Sequence, residues 1–103
     1  MEPVPTSSLS LESLRIRKAA ILGAAERHGA RNVRVFGSVA RGEADASSDV
    51  DFLVDMAPGR SLLDLGALLM DLQALLGLRV DVATPASLKD RIRPKVLREA
   101  VLL

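Results

Sequence analysis

Hydrophobic and polar positions fall into blocks along the chain, and each block has the spacing of a helix or of a strand. The first block predicts a helix that begins at Ser10 and stops at Gly29, because its apolar residues recur at helical spacing. Its predicted buried stripe consists of Leu11, Leu14, Ile21, Leu22 and Ala25. Three short β-branched segments predict strands, at residues 33–36, 50–54 and 79–83.

The second half of the chain carries helix-capping signals. Ser61 caps a long helix with the help of Asp64, and Gly77 ends that helix. After a short helical turn, Pro94 opens a last helix that is predicted to reach the C-terminus. The resulting order of elements predicts an α/β (α+β) domain, in which a small mixed β-sheet is flanked by helices.

Composition narrows the class of protein. With 103 residues, 49% of them hydrophobic, the chain is predicted to form one domain over residues 9–103 after a flexible leader of residues 1–8. The absence of cysteine excludes disulfides, zinc–thiolate sites and thiol catalysis. A net charge of +1 and only two aromatic residues give no strong signal for nucleic-acid binding. Acidic residues interrupt the most apolar run, and no signal-peptide pattern is present, so we expect a cytoplasmic protein without a membrane span.

Three aspartates carry the candidate chemistry. Asp49 and Asp51 are two residues apart at the second predicted strand, so their side chains are expected on one face, with Cα atoms about 6.6 Å apart. Asp81 is the lone acid of the third strand and lies beside them if the two strands are neighbours. Carboxylates this close repel one another unless a cation lies between them, and Mg²⁺ prefers such oxygen ligands. The three acids therefore suit two-metal phosphoryl or nucleotidyl transfer, or, in the alternative, are solvated strand ends.

A Gly-Ser turn precedes these acids and is a candidate phosphate-binding element. Gly37 follows the first strand, where a glycine permits a ligand to approach the backbone closely. Ser38 begins a helical turn whose free N–H groups suit an anion. Arg41 lies about one helical turn further on and would add a charged fork to the phosphates. The alternative is that Arg41 is a surface charge paired with Glu43 or Asp45.

Together these positions read G-S-x-A-R-G over residues 37–42 and S-D-x-D over residues 48–51. This order, followed by the Asp81 strand, resembles the signature of the DNA polymerase beta-type nucleotidyltransferase superfamily, and the size resembles its minimal nucleotidyltransferases. The resemblance implies a nucleotidyltransferase fold in which Asp49, Asp51 and Asp81 are catalytic and hold Mg²⁺, as two ions. It also implies nucleotide binding by Gly37, Ser38, Arg41 and Ser48.

The same resemblance implies a reaction and a partner. Minimal nucleotidyltransferases are often encoded beside a HEPN-domain ribonuclease in toxin–antitoxin pairs, and in that branch the acceptor is a tyrosine hydroxyl of the toxin. We therefore expect an enzyme that uses ATP, transfers AMP to a HEPN toxin and acts as its antitoxin. Two alternatives remain. The chain neutralises its partner by contact alone, or it is a small-molecule nucleotidyltransferase of the antibiotic-modifying type.

Two segments are candidates for an interface with a partner or with a second copy of the chain. Helix 61–76 carries more leucines than one buried stripe needs, and the chain ends on three apolar residues, 101–103. Tight packing within the domain would absorb part of this apolar surface. A basic cluster near the C-terminus is interpreted as a solvated helix face, or else as a surface for an acidic partner or RNA. Its members are Lys89, Arg91, Arg93, Lys95 and Arg98.

Four other polar residues are given structural interpretations. His28, the only histidine, is interpreted as a helix-end residue favoured by the helix dipole rather than as a catalytic group. Asp71 is expected on the solvated face of the long helix. Arg34 and Arg79 are interpreted as charges that flank strands rather than as phosphate ligands.

Overall fold

The computed structural model describes residues 9–103, so the predicted leader lies outside the described residues. Five helices are present in this part of the chain: α1 (Leu11–Ile16), α2 (Lys18–Arg27), α3 (Gly37–Arg41), α4 (Leu62–Leu76) and α5 (Arg93–Glu99). Four strands accompany them: β1 (Ala30–Phe36), β2 (Val50–Met56), β3 (Val80–Ala83) and β4 (Val101–Leu102). A single 3₁₀ turn, Pro85–Ser87, matches the predicted short helical turn after β3.

The strands form one mixed sheet in the order β3-β2-β1-β4. Strand β1 is antiparallel to both β2 and β4, whereas β2 and β3 are parallel and are connected through α4. A parallel pair needs such a crossover connection, and α4 supplies it. The predicted small mixed sheet flanked by helices is therefore confirmed.

Helices cover both faces of the sheet, which explains why β2 is apolar on both sides. Phe52 and Val54 point into the larger core, which is formed with α1, α2 and α4. Leu53 points to the opposite face, into a smaller cluster with Val96 of α5. Because side chains two residues apart in a strand share a face, Asp51 lies on the same face as Leu53. The smaller cluster therefore lies directly beside the candidate acids.

The predicted first helix is divided in two at Arg17, whose backbone leaves the helical conformation. Its guanidinium instead donates a hydrogen bond from Nη2 to the Leu75 carbonyl near the end of α4, at 2.7 Å. Ser10 caps α1 as predicted, in a capping box with Ser13. Leu22 was wrongly assigned to the buried stripe and is 37% exposed. The buried face of α2 is formed by Ile21, Ala24 and Ala25, and position 22 lies outside that face.

The C-terminal prediction is also wrong in part, because α5 ends at Glu99 and a fourth strand follows. Ala100 takes an extended conformation, and Val101 and Leu102 then pair with β1. The Leu103 amide donates to the Val33 carbonyl at 3.0 Å, and the Leu103 side chain is buried. The apolar chain end is therefore largely used to extend the sheet and to close its core. Of the predicted C-terminal interface only Leu102 is well exposed.

The capping prediction for α4 is confirmed at both ends. Ser61 and Asp64 form the capping box, and Gly77 ends the helix in the left-handed conformation, with φ 67°. None of the helices in residues 9–103 has the length and apolar character that crossing a membrane requires.

Candidate active site

The ends of three strands bring the predicted acids and the Gly-Ser turn together. Asp51 in β2 is the register partner of Asp81 in the parallel strand β3. On its other side, Asp51 is the register partner of Phe36, the last residue of β1. Gly37 follows Phe36 directly and begins α3, so the turn and two of the acids meet at one end of the sheet.

Gly37 is adapted to its place against Asp51. Its backbone has φ 76°, a conformation that side chains disfavour, and a Cβ at this position would overlap the Asp51 carboxylate atom Oδ2. The Asp51 carboxylate therefore lies directly on the backbone where α3 begins. The sequence predicted a close approach of phosphate at Gly37, and the structure adds that the glycine also makes room for an acid.

The charge of Asp51 is disfavoured in the folded protein. Burial and, less strongly, the neighbouring carboxylates of Asp81 and Asp49 together raise the pKa of Asp51 to about 6, while Arg41 acts in the opposite direction. Asp49 and Asp81 are thus each close enough to Asp51 to repel its charge. A divalent cation between them would favour the ionised form of Asp51, and carboxylate oxygens are the ligands that Mg²⁺ prefers.

Asp49 differs from the other two acids because it precedes β2 instead of lying within it. Its Oδ1 forms an ion pair with Nε of Arg79 at 3.0 Å. The same guanidinium donates from Nη2 to the Ser47 carbonyl at 2.8 Å. Arg79 therefore does more than flank a strand, which was its predicted role. Within residues 9–103 no group of three or more His, Cys, Asp or Glu side chains is arranged to hold a metal ion.

Arg41 is paired with two acids, close to the alternative that the sequence left open. Its Nε donates to Glu43 Oε1 at 2.9 Å and its Nη1 donates to Glu99 Oε1 at 3.1 Å. The hydrogen bond that Arg41 donates to Glu43 raises the pKa of Arg41 above its usual value, and the charge of Glu99 adds to the effect. Arg41 nevertheless lies near enough to Asp51 to lower its pKa. Phosphate binding by Arg41 stays a prediction.

The two serines of the predicted nucleotide site have different surroundings. Ser38 lies in the first turn of α3, where its backbone carbonyl accepts from the Glu43 amide at 2.9 Å. Ser48 closes the loop before β2, because its Oγ accepts from the Asp45 amide at 2.9 Å. The hydroxyl of Ser48 therefore already has a structural role, and nucleotide contact by either serine stays a prediction.

Comparison with known proteins shows the family of this chain. The sequence profile of the Nucleotidyltransferase domain family matches residues 18–103. The chain belongs to this family. The protein adenylyltransferase MntA of Thermococcus cleftensis is 54% identical to it over 76 residues, which are 74% of this chain and 77% of that protein. The structural and sequence findings together confirm the predicted nucleotidyltransferase.

Solved structures of other nucleotidyltransferases have the same fold. A candidate minimal nucleotidyltransferase superposes with a TM-score of 0.81 at 52% identity, over 94% of this chain and 99% of the other. A toxin–antitoxin complex with AMP-PNP matches with a TM-score of 0.71 at 20% identity, over 82% of this chain and 70% of the other. At 20% identity the second likeness establishes the fold alone. The resemblance to minimal nucleotidyltransferases is thus confirmed.

His28 and Asp71 of this nucleotidyltransferase form a pair away from the acidic end of the sheet. His28 follows the last residue of α2, as expected of a helix-end residue, and its Nε2 is hydrogen-bonded to Asp71 Oδ2 at 2.7 Å. This hydrogen bond lowers the pKa of Asp71, and Arg27 acts in the same direction. The Asp71 side chain is 44% exposed, as expected of a solvated face, and it also links α4 to the end of α2.

The other surfaces named from the sequence are only partly free. In the basic cluster, Arg93 donates to the carbonyls of Pro85 and Leu88, so its role is structural.

A groove of about 620 Å³ lies at the opposite end of β2 and β3 from the acids, near Met56. Helix α4 presents three large apolar side chains to solvent, and these are Leu62, Leu63 and Met70.

Proposed function

We propose that this chain is a Mg²⁺-dependent protein adenylyltransferase that transfers AMP from ATP to a hydroxyl group of a partner protein, with loss of the hydroxyl proton and release of pyrophosphate. The observation that carries the proposal is the convergence of Asp51, Asp81 and Gly37 at one end of the sheet, with Asp49 nearby. The relative from Thermococcus cleftensis is named a protein adenylyltransferase, which supports a protein as acceptor.

Each predicted site residue has a place in this proposal. Asp49, Asp51 and Asp81 would hold Mg²⁺, as two ions, which would offset the repulsion that Asp49 and Asp81 exert on the Asp51 carboxylate. Bound Mg²⁺ would neutralise the triphosphate and activate the attacking hydroxyl. Backbone N–H groups at the start of α3 would orient the phosphates, with Gly37 permitting the close approach. Further contacts to the nucleotide would come from Ser38, Arg41 and Ser48.

The proposed acceptor is a tyrosine of a HEPN toxin, and the chain is its antitoxin in the cytoplasm. The toxin–antitoxin structures that share the fold support a toxin as partner. The exposed Leu62, Leu63 and Met70 of α4 form an apolar surface that suits contact with this partner or with a second copy of the chain.

Labelled ATP tests the proposal. Incubation of the chain with ATP, Mg²⁺ and its partner toxin should label the toxin, and Asp49→Ala combined with Asp51→Ala should abolish the label. Glu12→Ala combined with Glu26→Ala is the matched control, because both glutamates are exposed and lie in α1 and α2, away from the acidic end. Labelling that survives the loss of Asp49 and Asp51 would exclude these residues as catalytic.

One observation favours a second function, neutralisation of the toxin by contact alone. The acids are not grouped for metal binding within the described residues, and Asp49 is instead paired with Arg79. If contact alone suffices, the variant that lacks Asp49 and Asp51 should still protect cells from the toxin. If AMP transfer is required, the same variant should bind the toxin and fail to protect.

A further inference from the structure

Arg79 occupies a position that the proposed reaction does not explain. It lies directly before β3 and two residues before Asp81, and its guanidinium reaches across to the loop that precedes β2. There its Nε pairs with Asp49 Oδ1 at 3.0 Å, and its Nη2 donates to the Ser47 carbonyl at 2.8 Å. The backbone joins the same two segments, since the Val50 amide donates to the Arg79 carbonyl at 3.0 Å.

Because of this pairing, the three acids differ in whether they have a basic partner. Asp49 is neutralised by a cation that belongs to the chain itself. Within residues 9–103, neither Asp51 nor Asp81 has a basic side chain at ion-pair distance. An oxygen atom of Asp49 that a metal ion would need is therefore already engaged by a guanidinium.

We propose that Arg79 is a counter-ion of Asp49 that a divalent cation has to displace before the acids can act together. The inference rests on the proposed function, because it assumes that the acids bind a metal. The side chains of Arg79 and Asp49 are 73% and 51% exposed, so their pairing is weak and can be exchanged. Arg79 is thus a competitor for the metal and a positioning residue for Asp49.

A purely structural role for Arg79 predicts the opposite behaviour. If its two contacts serve only to hold the 43–49 loop against β3, their loss would disperse the acids and weaken metal binding. If Arg79 competes for Asp49, its loss would free a ligand and strengthen metal binding. The sign of the change in metal affinity therefore separates the two roles.

The experiment is a titration of the full chain with Mn²⁺ alone, without nucleotide. Electron paramagnetic resonance measures the concentration of free Mn²⁺ at each step. Arg79→Gln should tighten Mn²⁺ binding by about two- to five-fold, the range expected when one exposed ion pair is lost. Arg79→Lys keeps the charge but lacks the planar guanidinium with its several N–H donors. Its Mn²⁺ affinity should therefore fall between those of the wild type and Arg79→Gln. Arg91→Gln is the control for net charge, because this exposed arginine lies on the segment before α5, and it should bind Mn²⁺ as the wild type does.

Two outcomes would overturn the inference while the proposed metal site stands. The first is Mn²⁺ affinity that is unchanged or weaker in Arg79→Gln, in a variant that thermal unfolding shows to be folded. The second is an Arg79→Lys variant that binds Mn²⁺ as the wild type does, while Arg79→Gln binds it more tightly. The effect would then come from the positive charge at position 79 and not from the guanidinium pairing with Asp49. A wild-type chain that binds no Mn²⁺ would overturn the proposed metal site, and this inference with it.

Discussion

Replacement of Gly37 by alanine isolates the contact between the Gly-Ser turn and Asp51. Two costs are expected. The left-handed backbone, with φ 76°, should cost about 1–2 kcal/mol for any residue with a Cβ. The overlap of that Cβ with the Asp51 carboxylate should add about 1–3 kcal/mol, as overpacking does elsewhere. We therefore expect Gly37→Ala to lower the free energy of unfolding by about 2–5 kcal/mol.

Gly59 provides the matched control for this substitution. It has φ 87° and open space around the position of a Cβ, so Gly59→Ala should carry the backbone cost of about 1–2 kcal/mol alone. Urea unfolding measures both variants. In the labelling assay, Gly37→Ala should also reduce transfer by about 100-fold, because a displaced Asp51 no longer holds the reacting groups in place. Gly59→Ala should retain most of the transfer.

Two results would refute the reasoning about Gly37. One is a Gly37→Ala variant that is no less stable than Gly59→Ala, which would mean that the Asp51 carboxylate is not held against the turn. The other concerns the variant that combines Gly37→Ala with Asp51→Gly. Removal of the carboxylate should abolish the excess cost of alanine at position 37, so a persistent excess would place the clash elsewhere.

Two further predictions concern pH and the chain end. Burial holds a proton on Asp51 up to a pKa of about 6, against 3.8 ordinarily, so this residue should lower the stability by about 1–3 kcal/mol as pH rises from 4 to 6.5. Urea titrations at both pH values should show that loss of stability in the wild type relative to Asp51→Asn. An equal change in the free energy of unfolding of the two proteins between the two pH values would contradict it. Leu103→Ala should cost about 2–4 kcal/mol because the side chain is buried, whereas the exposed Leu102→Ala should cost under about 0.5 kcal/mol. Equal costs in urea unfolding would show that Leu103 does not close the core.

Features encoded by neighbouring residues could be predicted from the sequence. The limits of α4 follow from Ser61, Asp64 and Gly77, which act on the helix within one turn of themselves. The positions of Gly37 after β1 and of Asp51 in β2 also follow from local signals, whereas the contact between them depends on the pairing of the two strands. The family resemblance added the identity of the chemistry.

Features that depend on distant partners could not be predicted. Arg79 pairs with an acid 30 positions earlier, and the His28 ring meets Asp71, 43 positions later. Strand β4 is two residues long, and only its pairing with β1 distinguishes it from the end of a helix. At Arg17, where the first helix is divided, the side chain likewise reaches a distant partner, the Leu75 carbonyl of α4. In each case the contact joins residues that are far apart in the sequence, and local sequence patterns do not indicate such contacts.

The paired register of Asp51 and Asp81 has a consequence for how the reaction centre can adapt. Adjacent strands lie about 4.8 Å apart, and hydrogen bonds of the ladder keep that separation constant. Two of the acids are therefore spaced by the backbone itself, whereas Asp49 is borne by a loop and held by an exchangeable partner. The proposed centre thus combines two acids at a fixed spacing with a third that can move, so any adjustment to ions or nucleotides of different size should fall on the loop that carries Asp49.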